Sequence, residues 1–351
     1  MDKFGIISYN KYGNFTNYGS VLQTWALSRV VNRLGKGRYS SVVIDYCPKS
    51  HMRCNILNPI PLMWDQDEQS QKECILSLPA IQANNDKINM FFAKQLTWTK
   101  LRFDYTNFDK EIGKENLCGF ICGSDTIFCT DETKGFDDGF FGQYETMRKG
   151  FTIAYAASFG DSHFDEASLD ILQERMKNFK AVGIREHVLL PYLETHCNIP
   201  IKQTLDPTLL LEAKEYDEIT ATRQLKEPYI LLYARRYNEE MFSYAEQLAK
   251  EMKCQLVDIS LRASYQERGH IMRYDAGVEE FLSLVKNAEY VVTNSFHGLL
   301  FSLQFKRPFR VFKREQADTK IAEVLRLTDI STQRKASLAF LEKSINQYYK
   351  K

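Results

Sequence analysis

The run Thr293-Asn294-Ser295-Phe296-His297-Gly298 ends one apolar segment, Tyr290 to Thr293, and opens another, Leu299 to Leu303. If a strand hands over to a helix here, Ser295 becomes the N-cap and His297 falls in the first helical turn. The free N–H groups of such a turn, with the positive end of the helix dipole, form an anion site. Gly298 omits a Cβ where a phosphate or carboxylate would come close. An imidazole in that position can transfer protons near neutral pH; the alternative is a histidine that only caps and packs.

Other polar residues follow apolar runs in the same way. Arg185 comes directly after Ala181 to Ile184, and Arg235 and Arg236 come shortly after Tyr229 to Tyr233. Planar guanidinium groups grip carboxylates and phosphates with two parallel hydrogen bonds. Ser124 and Asp125 follow Gly119 to Gly123, and Ser158 comes shortly after Gly150 to Ala156. Asp125 is a candidate base toward a hydroxyl, or a carboxylate that hydrogen-bonds its own turn. Asn17 and Gly19 occupy the position of a phosphate or sugar loop, although their spacing matches neither the dinucleotide fingerprint nor the P-loop.

Positioning such groups requires a parallel sheet, because ligands of open α/β sheets sit beyond the carboxyl ends of the strands. The chain opens with a strand-like run, Lys3 to Tyr9, a loop, and a helix whose Val21, Leu22, Trp25, Leu27, Val30, Val31 and Leu34 recur at helical spacing. Asn17 or Thr16 can cap this helix and Gly35 can end it, and a second strand is predicted over Ser41 to Tyr46. Residues 47–100 read as a mostly helical insertion punctuated by Pro59, Pro61 and Pro79. Further strands are predicted at 119–123, 150–156, 181–184 and 201–205, with a helix over 165–179. After a charged linker at 212–228 the alternation restarts, with strands at 229–233, 255–259, 289–293 and 308–312. Helices are predicted at 239–252, 277–286, 297–305 and 319–327. This is an α/β chain of two doubly wound domains, 1–211 and 229–330, with a cleft between them and a C-terminal helix within 331–351 that folds back.

Composition narrows the function classes. With 351 residues, two domains are expected. The 46 basic and 45 acidic residues leave a formal charge of +1, without the basic excess of a nucleic-acid binder. Lys306, Arg307, Arg310, Lys313 and Arg314 form the one basic cluster, read as a solvated strand edge or a contact for a lipid-linked diphosphate or anionic membrane surface. No secretory signal or run of roughly 18 apolar residues is present, so a cytoplasmic protein with at most peripheral membrane association is expected. The eight cysteines form no C-x-x-C pair and read as reduced thiols. No metal or cofactor is expected.

Taken in order, Asn17-Tyr-Gly-Ser-Val-Leu-Gln23, Gly123-Ser-Asp125, Tyr155-Ala-Ala-Ser-Phe-Gly160, Gly183-Ile-Arg-Glu186, Leu205-Asp-Pro-Thr208 and Val292-Thr-Asn-Ser-Phe-His-Gly298 resemble the polysaccharide pyruvyl transferase family over nearly the whole chain. The resemblance implies two Rossmann-like domains similar to GT-B glycosyltransferases, the first on the acceptor side and the second on the donor side. It implies phosphoenolpyruvate as donor and a sugar hydroxyl pair as acceptor, lipid-linked or otherwise, giving a cyclic pyruvyl ketal in exopolysaccharide or capsule assembly. It places the proton-transferring histidine on His297 and a donor-binding arginine on Arg185. Some members carry an arginine where this chain has Ser295, so Arg235 or Arg236 is the replacement anion contact. A nucleotide-sugar glycosyltransferase, with Glu279 or Glu280 on the ribose, and a non-catalytic sugar-binding protein are the alternatives.

Overall fold

The computed structural model describes residues 1–63, 66–313, 318–326 and 329–350. Its first sheet is built from β1 (Asp2–Ile7), β2 (Tyr39–Tyr46), β3 (Trp98–Phe103), β4 (Gly119–Cys122), β5 (Thr152–Ala157), β6 (Val182–Ile184) and β7 (Ile201–Gln203). The order is β3-β2-β1-β4-β5-β6-β7, and every pair is parallel. The second sheet contains β8 (Tyr229–Tyr233), β9 (Gln255–Asp258), β10 (Ile271–Met272), β11 (Tyr290–Thr293) and β12 (Phe309–Val311), in the parallel order β10-β9-β8-β11-β12. Central strands such as β5 and β8 are buried at every position, which is why they read as unbroken apolar runs rather than as alternation.

The main crossover helices follow the apolar periodicity. They are α1 (Tyr18–Gly35) and α2 (Glu68–Gln95), then α6 (Glu166–Met176) and α7 (Leu190–His196) after the short α3 (Phe108–Glu111), α4 (Thr130–Thr133) and α5 (Glu145–Lys149). The second half adds α8 (Glu239–Met252), α9 (Val278–Lys286), α10 (Phe296–Gln304), α11 (Asp318–Leu325) and α12 (Ile330–Asn346). Asn17 caps α1 by accepting from Gly19 N at 3.0 Å and Ser20 N at 3.4 Å. The left-handed residue that ends α1 is Lys36, with φ 47°, one position beyond the glycine that sequence favours. Among the described residues no helix is long and apolar enough to cross a membrane.

The mostly helical insertion ends in a strand that the sequence did not announce. Residues Trp98–Phe103 form an edge strand whose Lys100, Leu101 and Arg102 are exposed, so neither alternation nor an apolar run announces it. Helix α2 fastens one domain to the other. Its Lys87 pairs with Glu280 at 2.7 Å and Asp275 at 3.3 Å, and its Asn84 donates to the carbonyl of Ala276. Beside it, Tyr18 stacks on Phe281 with centroids 4.4 Å apart and donates to Ala276 O at 2.7 Å. Such an aromatic pair adds about 0.5–1.5 kcal/mol beyond its buried area. One apolar cluster runs through both sheets, from Phe4 and Ile121 to Leu231 and Val291. Helix α12 returns to the first domain, where Ser337 Oγ accepts from Leu205 N at 3.0 Å. Tyr348 beyond it lies edge-on to Phe4 at 5.6 Å.

The second domain also buries a charged trio. His270 lies between Asp258 Oδ2, 2.8 Å from its Nδ1, and Glu246 Oε1, 3.0 Å from its Nε2. Burial opposes the imidazolium, but the two carboxylates outweigh it and raise His270 above its ordinary value near 6.5. Burial likewise raises Asp258, against the hydrogen bond from His270. A raised folded pKa contributes stability that is complete below the unfolded value and is lost as pH climbs through the folded one. Urea titrations from about pH 6 to about pH 9 should therefore show wild type losing more stability than His270→Gln. Parallel losses would mean that His270 is neutral in the folded chain.

Candidate active site

Residues from the carboxyl ends of both sheets meet at His297, the second residue of α10. Ser295 caps that helix, its Oγ accepting from Gly298 N at 3.2 Å while its own N–H donates to Thr293 Oγ1 at 3.0 Å. His297 is 6% exposed. Its Nε2 lies 3.5 Å from Asp206 Oδ2, across the interdomain boundary. On the other side the ring lies against the start of α1. A Cβ on Gly19 would fall 1.9 Å from His297 Nδ1, so only glycine seats the imidazole here. Asn17 and Gly19 thus cap α1 and admit His297, and the amino ends of α1 and α10 converge on one ring.

Gly298 is used differently from its sequence reading. A Cβ there would meet Thr293 Oγ1 at 2.5 Å and the Tyr233 ring at 3.0 Å. The missing side chain lets α10 pack on β11 and β8 and is not a gap for an approaching anion.

Arg185 stands immediately after β6 and is 7% exposed. Its Nη2 donates to Ser124 Oγ at 2.5 Å and pairs with Asp206 Oδ2 at 2.5 Å, and its Nη1 lies 3.8 Å from Asp125 Oδ1. Nε and Nη1 make no hydrogen bond among the described residues. The guanidinium carbon sits 5.4 Å from the centre of the Phe296 ring.

Asp206 is the residue that sequence reasoning missed. In Leu205-Asp206-Pro207-Thr208 it reads as a turn former, and its Oδ1 does accept from Thr208 N at 2.8 Å and Thr208 Oγ1 at 2.7 Å. Its other oxygen, however, serves both Arg185 and His297. Burial pushes the Asp206 carboxyl up, but the Arg185 guanidinium and then His297 outweigh it and hold the group well below the usual carboxylate range. The available signal was its position just after β7, where a sheet of this kind places ligand-facing groups.

The remaining candidates fall into three groups. Asp125 has φ 77°, rare for a residue with a side chain. It accepts from its own Thr126 N at 2.9 Å and from Ser20 Oγ at 2.6 Å, so it makes its turn bond and also faces the Arg185 cluster. Ser124 N donates to Gln23 Oε1 at 3.0 Å, and Ser158 Oγ donates to Glu186 Oε1 at 2.5 Å. In the second domain, Asn294 accepts from Arg235 N at 2.8 Å and donates to Arg236 O at 2.8 Å. The Arg235 side chain reaches across to Thr16 O at 3.1 Å, whereas Arg236 makes its contact with Asn294 through its backbone.

Two other groups are engaged elsewhere. Glu280 accepts from Gly277 N at 2.7 Å and pairs with Lys87, and Glu279 pairs with Lys94 at 3.3 Å. Of the basic cluster, Arg310 lies over Tyr244 at 4.3 Å and Arg307 donates to Phe305 O at 3.3 Å. Lys306 and Lys313 flank the edge strand β12, and Arg314 lies outside the described residues. Beside the Arg185–Asp206 pair, a cavity of about 230 Å³ lies between the ends of β6 and β7 and helices α11 and α12.

Solved structures share this architecture. A UDP-GlcNAc 2-epimerase from Methanocaldococcus jannaschii aligns over 99% of this chain and 92% of its own, with TM-score 0.51 and 13% identity. The enzyme from Neisseria meningitidis bound to UDP-GlcNAc aligns over 100% and 93%, with TM-score 0.50 and 10% identity. At these identities the likeness establishes the fold, two parallel-sheet domains of the GT-B type. No curated protein matches the chain significantly. The sequence model of the polysaccharide pyruvyl transferase family matches residues 17–316, a span that runs from the cap of α1 through Asp125, Arg185, Asp206 and His297. With most of its length and all four of these residues inside that match, the chain belongs to the polysaccharide pyruvyl transferase family.

Proposed function

We propose that the protein transfers a pyruvyl group from phosphoenolpyruvate to two hydroxyls of a sugar in a polysaccharide precursor, closing a cyclic ketal and releasing phosphate. The observation that carries this reading is one buried carboxylate, Asp206, holding both a proton-transferring imidazole and a guanidinium, at 3.5 and 2.5 Å. The donor bears a carboxylate and a phosphate, and Arg185 and Arg235 supply cations from opposite sides of the cleft. In the reaction, imidazolium His297 gives its proton to the methylene carbon while a sugar oxygen bonds to the adjacent carbon. The hydroxyl proton passes to Asp125, or to His297 once it has become the base. The bond from that carbon to the phosphate oxygen then breaks, the second hydroxyl closes the ring, and its proton passes to the departing phosphate. One phosphoenolpyruvate and one diol give one ketal and one phosphate.

A nucleotide-sugar donor has less support, because Glu279 and Glu280 are held in interdomain ion pairs. We place the reaction in the cytoplasm, where phosphoenolpyruvate is available and thiols are kept reduced. The test is release of phosphate from phosphoenolpyruvate, followed by phosphorus NMR with polysaccharide precursors as acceptors. Acceptor-dependent release is expected. Release of UDP from a UDP-sugar, with phosphoenolpyruvate untouched, would overturn the assignment.

A further inference from the structure

The cavity beside Arg185 has a chemistry that the anionic donor does not account for. Its volume of about 230 Å³ is too small for a nucleotide-sugar, lying below the roughly 300–1,000 Å³ of pockets that take drug-sized ligands. One sugar ring is of a size to fit. Charge points the same way. Among the residues lining it, Arg185 is the single cation, while Glu186, Asp206 and Glu323 are acidic. On this side of Arg185 the carboxylates of Glu186 and Glu323 disfavour a ligand with two or three negative charges, whereas a neutral polyol finds acceptors and donors around it. Gln203 Nε2 donates to Glu323 Oε2 at 3.3 Å, which holds that carboxylate at the wall, and Gln333 adds an amide from α12. Phe296, also in the wall, offers an apolar face of the kind on which the C–H side of a sugar ring packs.

Arg185 forms the boundary between this cavity and His297. A guanidinium carries five N–H donors on a rigid plane, and the buried Nε and Nη1 of Arg185 make no hydrogen bond among the described residues. One edge of the plane can hold a donor oxygen while the other holds a hydroxyl, which brings the two reactants side by side.

We infer that the cavity is the acceptor subsite, taking one neutral, hydroxyl-rich sugar unit that Glu323 of α11 and Gln333 of α12 select. Recognition of the acceptor then lies largely in the C-terminal helices, not in the loop that precedes α1. The word acceptor rests on the pyruvyl-transfer reading, but the claim that a sugar binds here does not.

The test uses the full chain and a panel of methyl glycosides of glucose, galactose, mannose and N-acetylglucosamine, titrated by ligand-observed NMR. Phosphoenolpyruvate binding is measured on the same samples by calorimetry. Ala336 lines the cavity yet is itself exposed, so Ala336→Trp blocks the space without disturbing the core. Glu323→Gln keeps the shape and removes the charge, and serves as the second variant. Wild type should bind at least one glycoside, and each variant should weaken that binding about tenfold or more, as expected for a lost charge-assisted hydrogen bond or a filled site. Phosphoenolpyruvate affinity should stay within about twofold in both. Unchanged glycoside affinity in both variants, or no glycoside bound by wild type, overturns the proposal. Loss of phosphoenolpyruvate binding in a folded Ala336→Trp protein overturns it too, by assigning the cavity to the donor. Failure of wild type to bind phosphoenolpyruvate counts against pyruvyl transfer instead, and the glycoside titrations still decide the cavity.

Discussion

Replacing His297 with alanine is expected to lower turnover by about a hundredfold or more while the protein stays folded, since a positioned general acid contributes about 10²–10⁴-fold. The ring is buried between the amino ends of two helices, with Asp206 Oδ2 3.5 Å from its Nε2. That setting suits proton delivery to one fixed carbon. It also limits the structural cost of the change. Asp206 keeps its pair with Arg185, and the domains remain joined through Tyr18, Asn84 and Lys87. The measurements are kcat for phosphate release and a thermal melt. Turnover near wild type would remove His297 from the proton-transfer step.

The second large effect is expected from Asp206→Asn. This residue is 3% exposed and faces a guanidinium that is almost as deeply buried. Removing one partner of a buried ion pair costs about 3–5 kcal/mol because the other charge is left without compensation. The lowered Asp206 pKa sets the pH window. A depressed carboxyl contributes stability above its unfolded value, about 3.9, and loses it only as pH falls toward the folded value. The gap between wild type and variant should therefore persist from about pH 7 to about pH 4 and close in stronger acid. Turnover should fall as well, because an amide cannot hold the imidazole as a carboxylate does. If Asp206 acts through His297, the double variant will be little slower than His297→Ala alone. Fully additive losses would mean that Asp206 does not act through His297.

Legibility differed between elements for local reasons. Helix α8 spans Glu239–Met252 and β8 spans Tyr229–Tyr233, the same bounds that the sequence suggests. Each declares itself within its own residues, the helix through its amphipathic spacing, the strand through an unbroken apolar run. Strands β3 and β10 do not. The first is an edge strand with its middle exposed, and the second is only two residues long.

In the site, residue type and place at a strand end were enough to single out His297, Arg185, Ser295 and Asp125. Their neighbours were not readable. Gly19 and Gly298 are both glycines beside a helix start, yet one makes room for the His297 ring from the other domain and the other for Thr293 of its own. Asp206 read as a turn because one of its oxygens does make a turn. The role of its second oxygen depends on β7 lying next to β6 and on the second domain closing over them. The cavity depends on α11 and α12, which come far later in the chain, returning to the ends of β6 and β7. The sequence by itself determined most of the strands, the main helices and the residue types that follow each strand, because apolar periodicity acts over a few neighbouring residues. Only the tertiary structure decided which of those residues share a charge, a ring or a cavity wall, because that follows from strand order and domain apposition, set by packing between segments distant in sequence.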